Sequence, residues 1–314
     1  MKGFPKIALG AWAWGNDGTF GNRLDEVSLC RVFDAAMSHG FNLWDTAYAY
    51  GMGASEKTLA SFIKGLPRET FLVSDKFTPQ CVADPQAPSQ TVLKEMHDMQ
   101  LKLMGLDRFD IYWIHNTVGA PGWTEQLAIL FEDRGDSPLI GVSNHNLEEI
   151  RKADAILKAH GLRVSAVQNH YSLLNRSSER SGILEWCNSN QAVFFSYMVL
   201  EQGALSGKYD TAHPMSEGSA RAEVYNPMLS KLEILNAELT KIADAHGTEA
   251  AQIPIAWAIA KGTLPIIGVT RPAHVEGAAR AASIKLSAQE ISGLESIADR
   301  LGLDTIRFWE KEMK

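Results

Sequence analysis

Short apolar segments of strand length recur along the whole chain, and each is separated from the next by a segment long enough to form a helix. Most of them run without interruption for four to six residues, as is typical of parallel strands that are buried on both faces. The eight predicted strands are residues 7–12, 41–44, 70–76, 110–114, 139–142, 166–169, 192–197 and 264–268.

The segments between these strands carry apolar residues at helical spacing, with plausible start and stop signals. Ser55 is a candidate N-cap, and Gly40, Gly105, Gly135 and Gly161 each follow a predicted helix as a stop. The predicted helices between strands are residues 25–39, 55–66, 90–104, 124–133, 147–160 and 178–190.

Strand and helix alternate through eight strands with short connections, which predicts parallel pairing through right-handed crossovers. Eight such strands close most naturally into a barrel. The competing open, doubly wound sheet would need a Gly-x-Gly-x-x-Gly turn after its first strand, and residues 10–15 do not supply it. We therefore predict an α/β fold built as a (β/α)8 TIM barrel.

One connection is longer than the others. After the seventh strand, residues 203–227 are polar and contain Gly and Pro, which is typical of a lid or a binding loop. Helices are predicted again at 229–246 and 249–260, the second with Thr248 as N-cap and with a kink or a later start because of Pro254. Extra C-terminal helices begin near Pro272 and at 287–301. No linker divides the chain, so residues 1–314 are predicted to form a single domain.

The overall composition limits the classes of function. The 314 residues are 45% hydrophobic and 21% charged, and the formal net charge is −7. That charge argues against a nucleic-acid partner. The sequence lacks a signal peptide and a membrane-spanning stretch, and its three cysteines are far apart, so we expect a reduced, soluble, cytoplasmic protein without a membrane partner. No Cys-x-x-Cys or His-x-His pair indicates a metal site.

Ionisable side chains are concentrated at the ends of the predicted strands. In a barrel these ends converge at one rim, which is where catalytic residues of such folds lie. Taken singly, Asp45 could start a turn, Tyr50 could pack, Lys76 could be exposed, and His115 could belong to the core. Together, four ionisable groups of four types on one rim predict a chemical site. The strand ends carry Trp12, Asp45, Lys76, His115, Ser143, Asn144, Gln168, Tyr197 and Gly268.

These residues lie in motifs that resemble the aldo-keto reductases, and the potassium-channel-beta-like and bacterial branches in particular. The resemblance implies a single-domain eight-stranded barrel that uses a nicotinamide cofactor to reduce a small carbonyl compound, or to oxidise the alcohol. The matching segments are Leu-Trp-Asp-Thr-Ala-x-x-Tyr-Gly at 43–51, Lys76, Asp-Ile-Tyr-x-Ile-His at 110–115, Gly-Val-Ser-Asn at 141–144, Val-Gln-Asn-x-Tyr-Ser-Leu-Leu-Asn-Arg at 167–176, Gly-x-Leu-Ser-Gly-Lys-Tyr at 203–209 and Pro-Ile-Ile-Gly at 265–268.

The resemblance implies that Asp45, Tyr50, Lys76 and His115 are the catalytic residues. Reduction of a carbonyl leaves an alkoxide that needs a proton, and a free phenol with a pKa of about 10 is a poor acid at neutral pH. A cation beside the phenol lowers its pKa, and Lys76, held by Asp45, supplies that charge. His115 would orient the carbonyl oxygen. Tyr48 is the rival phenol, but it lies two positions too early for the family's pattern.

The cofactor residues are also implied by the resemblance. Ser143, Asn144 and Gln168 would hold the nicotinamide carboxamide, and Tyr197 would stack on the ring. Arg271, after the eighth strand, favours NADPH over NADH because its forked donors suit a phosphate. The remaining predicted cofactor residues are Ala11, Trp12, Asp45, Met198, Val199, Leu200, Lys208, Gly268, Thr270 and His274.

Two segments depart from the family's pattern. Gly277-Ala278 stand where Glu-Asn usually contacts adenine, and Met198-Val199-Leu200-Glu201 replace the more usual Ser-Pro-Leu-Ala. These departures concern the affinity for the adenine end, the choice of cofactor and the behaviour of the loop after the seventh strand. They leave the four catalytic positions intact.

The predicted substrate pocket is apolar and aromatic. Its candidate residues are Trp12, Trp14, Tyr48, Tyr50 and His115, with Trp113 as a further aromatic that lies inside a strand. The alternative function is a barrel that binds the nicotinamide cofactor and reports on it with little turnover. A metal-dependent hydrolase is disfavoured because only His115 and Asp45 are offered as ligands. The number of subunits stays open.

Overall fold

The computed structural model describes residues 3–21, 23–132, 137–307 and 310–314. Eight parallel strands within these residues close into a barrel in the order β1 to β8, with β8 paired to β1. The fold is thus the predicted (β/α)8 barrel. The strands are β1 Ala8–Gly10, β2 Leu43–Asp45, β3 Leu72–Phe77, β4 Ile111–Ile114, β5 Leu139–Ser143, β6 Ala166–His170, β7 Val193–Tyr197 and β8 Leu264–Gly268.

Helices surround the barrel and are connected to the strands as predicted from the alternating pattern. Those in the described residues are α1 Glu26–Ser38, α2 Ala54–Ile63, α3 Gln90–Met104, α4 Gly122–Phe131, α5 Leu147–Ala159, α6 Ser177–Arg180, α7 Ile183–Ser189, α8 Ala220–Tyr225, α9 Leu229–Ala245, α10 Gln252–Ala260, α11 Pro272–Ala281 and α12 Ala288–Leu301. None of the helices described is both long and apolar enough to cross a bilayer.

Several predicted helix boundaries need correction. Ser55 does not cap α2: the cap position is Gly53, and the Ser55 hydroxyl donates to the Ala11 carbonyl at 2.7 Å. The predicted helix 178–190 is two short helices, α6 and α7, because Gly182 between them has a φ of 80°. Asp133 and the proposed stop at Gly135 lie outside the described residues.

Two further predictions concern the long connection after β7 and the helix that follows it. Helix α10 begins at Gln252, so Pro254 lies in its first turn and Thr248 is not its cap, which agrees with a later start. The connection itself contains α8 and a buried carboxylate, Glu201, and is therefore partly ordered against the core.

The barrel interior is filled by side chains, with Trp113 at its centre. The Trp113 ring packs edge-on to Phe195 at 5.2 Å between centroids. A Cβ at Gly141 would lie 2.1 Å from Cε3 of Trp113, so only glycine leaves room for this ring. The floor is closed by Phe4, whose ring contacts Phe195 at 6.2 Å. The interior is thus a packed core below the rim.

A second core lies between the barrel and the helices. Trp44 faces outward from β2, where its ring stacks on Phe33 of α1 at 5.0 Å and meets Trp14 at 5.1 Å. Because side chains alternate along a strand, its neighbours Leu43 and Asp45 face the interior. This alternation places the carboxylate of Asp45 inside the barrel, at its carboxyl-terminal rim.

Candidate active site

The inward-facing residues at the carboxyl ends of the strands meet at one rim. Asp45 ends β2, Lys76 is the last inward-facing residue of β3, and Gln168 lies near the end of β6. Tyr197 ends β7. The strand register and the period-two alternation bring these residues, far apart in sequence, into one polar cluster.

Asp45 and Lys76 form an ion pair at the base of this cluster. The Lys76 Nζ lies 2.5 Å from Asp45 Oδ1 and also donates to the Thr46 carbonyl at 2.7 Å. Lys76 is 0% exposed and Asp45 is 3% exposed. A buried ammonium is tolerated when its charge is paired and its N–H groups are bonded. Here the charge is paired, and two of the three N–H groups donate hydrogen bonds.

The second oxygen of Asp45 is held by two further side chains. Ser74 donates its hydroxyl to Asp45 Oδ2 at 2.7 Å, and Gln168 donates its amide at 3.0 Å. Ser74 in turn accepts the indole N–H of Trp113 at 2.7 Å. This chain connects the packed interior to the carboxylate and fixes the orientation in which Asp45 meets Lys76.

Tyr50 stands beside Lys76 on the loop after β2. The Lys76 Nζ lies 4.9 Å from the centroid of the phenol ring. The loop reaches this position through a close backbone approach: a Cβ on Gly51 would come within 2.2 Å of the Gly15 carbonyl oxygen. The same approach stacks Trp12 on Tyr50, with centroids 5.6 Å apart.

His115 completes the group from the loop after β4. Its ring packs edge-on to Tyr50 at 5.9 Å, and its Nδ1 is 2.7 Å from the Thr78 hydroxyl. Burial lowers the pKa of His115 well below its ordinary value, and the Lys76 cation lowers it further. The imidazole is therefore neutral, and it places a hydrogen-bonding group, not a second cation, near Tyr50.

The electrostatics of the pair correct one expectation. Burial would lower the pKa of Lys76, but the Asp45 carboxylate and Tyr50 raise it more, so the ammonium stays charged. Burial raises the pKa of Tyr50, and the Lys76 cation opposes this only in part. The net pKa of Tyr50 is raised, not lowered as the sequence suggested, because removal of water from the phenolate outweighs the neighbouring charge.

A pair of buried carboxyl groups lies directly behind Lys76. Asp75 faces outward from β3 and meets Glu56 of α2, and the pKa of Asp75 is raised well above its ordinary value by burial and by the Glu56 charge. Glu56 Oε2 and Asp75 Oδ2 have no hydrogen-bond donor among the described residues. The raised pKa favours a protonated Asp75, whose carboxyl could donate to Glu56.

The predicted carboxamide-binding residues are brought together beside Asp45. Asn144 has a φ of 60°, donates its amide to the His115 carbonyl at 3.0 Å and accepts the Tyr197 hydroxyl at 2.5 Å. Its backbone N–H donates to the Gln168 carbonyl at 3.1 Å, and Ser143 precedes it at the end of β5. Amide donors and acceptors thus surround one edge of the mouth, next to the ion pair of Asp45 and Lys76.

The other predicted cofactor residues follow β1, β7 and β8, and they differ in exposure. Val199 and Ala11 are buried, so only their backbone is available to a ligand, while Met198 has a φ of 60° and Leu200 packs partly against the core. Gly268 is exposed at the end of β8.

A basic corner follows β8. Arg271 is exposed, and its Nε and Nη2 both contact His274 Nε2, at 3.2 and 2.9 Å. Burial lowers the pKa of His274 to about 4, with further lowering by Arg271 and by Lys208. In a neutral His274 only one ring nitrogen can accept, so with Nε2 accepting from Arg271 the proton lies on Nδ1, which is 3.4 Å from the Thr270 hydroxyl oxygen. His274 therefore anchors the guanidinium in place.

Two predicted aromatic residues are not at the mouth. Trp14 is wrong as a pocket residue: it lies between barrel and helices against Trp44, and its N–H donates to the Val269 carbonyl at 2.8 Å. Trp113 lies below the site in the interior. Trp12 and Tyr48 are half-buried near the rim, and the Tyr48 ring lies against the start of α2.

Sequence reasoning missed several residues that support the site. Ser74 could have been found, since it precedes Lys76 by two positions and so faces the same way. The Thr46 contact is made by a backbone carbonyl and has no sequence signal. His170 and Glu201, which form a buried ion pair beside Tyr197, were also missed because Glu201 comes from a loop.

Most of the chain matches a single protein family. The profile described as "Aldo/keto reductase family" matches residues 6–299. The chain belongs to the aldo/keto reductase family. This confirms the resemblance drawn from the motifs and assigns the chain to an oxidoreductase family, while the predicted branch stays a prediction.

Similar proteins span nearly the whole chain. A chloroplastic pyridoxal reductase of Arabidopsis thaliana is 29% identical over 93% of this chain and 82% of its own length. The glycerol dehydrogenase structure from Gluconobacter oxydans aligns with a TM-score of 0.80 at 22% identity, covering 96% of this chain and 93% of that one. An aldo-keto reductase from Klebsiella pneumoniae, solved in complex with NADPH, aligns with a TM-score of 0.73 at 23% identity, covering 99% and 95%. The two structures support the barrel fold.

Proposed function

We propose that this protein is an NADPH-preferring aldo-keto reductase that reduces an aldehyde or ketone to the alcohol, reversibly. The observation that carries the proposal is the contact of a phenol, Tyr50, with a buried and charged ammonium, Lys76. A proton donor of this kind has a use where an alkoxide must be protonated. The Asp45 carboxylate keeps the ammonium in position.

In this proposal Tyr50 delivers the proton in reduction and accepts it in oxidation. Lys76 stabilises the phenolate that remains after proton transfer, which offsets part of the cost of its burial. Neutral His115, next to the phenol, donates or accepts a hydrogen bond at the substrate oxygen. Trp12, stacked on Tyr50, provides an apolar wall, and Tyr48 is a further candidate substrate contact.

The residues present fit a nicotinamide cofactor, which supplies the hydride when it is bound. The amide groups of Asn144 and Gln168, with the Ser143 hydroxyl, offer the donors and acceptors that a carboxamide needs. Tyr197, half-buried beside them, offers a ring for stacking. The Klebsiella pneumoniae relative was solved with NADPH, which supports the choice of cofactor.

The preference for NADPH is proposed from the basic corner after β8. Arg271 is exposed and oriented by neutral His274, and Lys208 is near enough to influence the same imidazole. Two cations around one imidazole suit a phosphate group, which NADPH carries on its adenosine ribose and NADH lacks.

The first experiment is a titration of the purified protein with NADPH and NADH, followed by loss of reduced-nicotinamide absorbance with a panel of aldehydes, ketones and sugars. Pyridoxal belongs in the panel because of the activity named for the Arabidopsis thaliana relative. Binding of NADPH with turnover of a carbonyl is expected. Tight binding without turnover of any compound would favour the sensor function instead, and no binding of either cofactor would reject the proposal.

The second experiment separates the two phenols. Tyr50→Phe should keep NADPH affinity and lose most carbonyl reduction, by about a hundredfold to ten-thousandfold, the usual contribution of a general acid. Tyr48→Phe tests the rival phenol: it keeps the aromatic ring as a substrate contact and removes only the hydroxyl, so most of the turnover should remain if the proton comes from Tyr50. Equal turnover in Tyr50→Phe and in the unmodified protein would remove Tyr50 from its role.

A further inference from the structure

A buried ion cluster lies behind Tyr197 and is not used by the chemistry proposed above. His170, at the end of β6, has Nε2 2.8 Å from Glu201 Oε1 and Nδ1 2.9 Å from Glu310 Oε2. Both carboxylates and the imidazole are almost fully buried. A neutral imidazole has one N–H and could satisfy only one carboxylate, so the geometry requires an imidazolium that donates to both.

The charge state of His170 agrees with this geometry. Burial would lower its pKa, but Glu201 and Glu310 outweigh burial and raise the pKa to about 10. Two buried carboxylates would otherwise repel each other, and the cation between them makes the cluster stable. The three residues come from β6, from the loop after β7 and from the C-terminal tail, so the cluster ties three separate segments together.

Glu201 is the fixed part of the cluster. Its Oε2 accepts the Tyr225 hydroxyl at 2.5 Å, and its Oε1 accepts the Thr305 hydroxyl at 3.2 Å as well as the Ser172 hydroxyl. Both of its oxygens accept hydrogen bonds from groups of the core. Glu201 therefore anchors His170 and has no further oxygen to offer at the mouth of the barrel.

Glu310 is different because it reaches the mouth. Its Oε1 is buried and has no hydrogen-bond donor among the described residues, and its charge raises the pKa of the nearby Tyr197 phenol in addition to the effect of burial. The His170 ring lies parallel to the Tyr197 ring at 5.7 Å with an interplanar angle of 29°. Tyr197 is thus supported by His170 behind its ring and has two acceptors near its hydroxyl, Asn144 Oδ1 and Glu310.

We propose that Glu310, on the C-terminal tail, is a positioning residue for the nicotinamide site, where it holds His170 against the Tyr197 ring and accepts the Tyr197 hydroxyl when Asn144 turns to a carboxamide. The inference rests on the proposed function, because it assumes that Tyr197 and Asn144 contact nicotinamide. Without Glu310, the Tyr197 hydroxyl would compete with the cofactor for the Asn144 oxygen.

The tail is held in place for this role by other contacts. Lys311 pairs with Glu149 in the first turn of α5, and Met313 is buried. The backbone N–H of Arg307 donates to Glu310 Oε2 at 3.0 Å, which orients the carboxylate. Glu312 lies on the same tail, is half exposed and takes no part in the buried cluster. Its one ion pair among the described contacts is with Lys314. Glu312 provides a matched control.

The test measures the Kd for NADPH by fluorescence titration in Glu310→Gln, Tyr197→Phe, the double variant and the control Glu312→Gln. Glu310→Gln is expected to raise the Kd about threefold to tenfold, the size of one lost hydrogen bond. Turnover at saturating NADPH should stay near the unmodified value, since ground-state and transition-state binding are weakened alike. Glu312→Gln should leave the Kd unchanged.

The double variant decides whether Glu310 acts through Tyr197. If it does, Glu310→Gln raises the Kd much less in the Tyr197→Phe background, where the hydroxyl is absent. An equal effect in both backgrounds would mean that the tail matters only for folding and would overturn the inference, as would an unchanged Kd in Glu310→Gln.

If Glu310→Gln does not yield folded protein, Glu310→Asp replaces it, because aspartate keeps the charge but shortens the reach to Tyr197; the same two outcomes then decide. Failure of the unmodified protein to bind NADPH is a separate result. It would reject the proposed function first and this inference with it.

Discussion

Replacement of Asp45 by Asn tests the central ion pair most directly. Asn has the same shape but no charge, so Lys76 would keep the Thr46 carbonyl as its acceptor and lose its carboxylate. Because Lys76 is 0% exposed, water cannot replace the lost partner. Breaking a buried pair in this way costs about 3–5 kcal/mol, mainly because an uncompensated charge stays buried.

That loss is large compared with the total stability of a globular protein, which is about 5–15 kcal/mol. We therefore expect Asp45→Asn to unfold at a clearly lower urea concentration, measured by tryptophan fluorescence at neutral pH. The matched control is Glu148→Gln, which removes the carboxylate from the exposed pair with Lys152 on α5. That change should leave the urea midpoint close to the unmodified value.

The dependence on pH gives an independent signature. In the unmodified protein the folded pKa of Lys76 is raised above 10.5, so its contribution to stability is present below that pH and is lost as the pH rises through the folded value. In Asp45→Asn the carboxylate that raised the pKa of Lys76 is gone, so the effect of burial prevails and lowers the pKa of Lys76. The unfolded state then binds more protons, and the free energy of unfolding should increase with pH.

Two results would refute this reasoning. If Asp45→Asn lowers the free energy of unfolding by less than about 1 kcal/mol, the buried pair stabilises the protein no more than an exposed salt bridge does. A free energy of unfolding that does not increase with pH in the variant would mean that Lys76 is not left charged and unpaired. Reduced carbonyl turnover alone would not rescue the argument, since turnover can fall for other reasons.

Three other changes test separate parts of the structure. Gly141→Ala should lower the free energy of unfolding by about 1–3 kcal/mol or more, because the added Cβ would lie 2.1 Å from the Trp113 ring. The control Gly293→Ala should not destabilise the protein, because nothing lies within 4 Å of the added Cβ. Equal urea midpoints for the two variants would contradict the packing argument. Arg271→Ala should raise the Kd for NADPH roughly tenfold to a hundredfold and leave that for NADH nearly unchanged, and equal losses would count against a phosphate contact. Asp75 has a raised pKa, so its contribution to stability falls as the pH rises. Asp75→Asn should therefore gain stability relative to the unmodified protein as the pH rises above the ordinary aspartate pKa of about 4, and parallel pH profiles in urea unfolding would be inconsistent with a protonated Asp75.

The sequence determined the architecture because the apolar runs of the strands and their alternation with helices are both local patterns. The apolar runs place all eight strands, with boundaries shifted by at most a few residues, and the alternation with helices predicts the parallel barrel. Helix α3 begins and ends as predicted at Gln90 and Met104, since the C-cap Gly105 has a φ of 66° that favours glycine. The signals for helix starts were less reliable. Ser55 does not cap α2 as predicted, because its hydroxyl donates to the Ala11 carbonyl, a contact that exists only in the folded chain.

The catalytic candidates were also found from the sequence, because strand ends in a barrel converge whatever their separation. Asp45, Tyr50 and Lys76 do lie together as expected. The direction in which the Trp14 side chain points could not be predicted in this way. Trp12 and Trp14 both lie in a short 3-10 turn after β1, Trp12–Gly15. In this turn the Trp12 side chain lies at the rim, and the Trp14 side chain lies in the outer core.

Charge states were decided only by the tertiary structure. The sequence shows that a lysine is available to lower the pKa of Tyr50, but the net shift depends on how much water the fold removes, and removal of water prevails. The same holds for His170, which is charged because Glu201 and Glu310 arrive from two distant segments. Local patterns along the chain thus specify the barrel and its rim, whereas burial and long-range contacts, which no local pattern encodes, set the charges there.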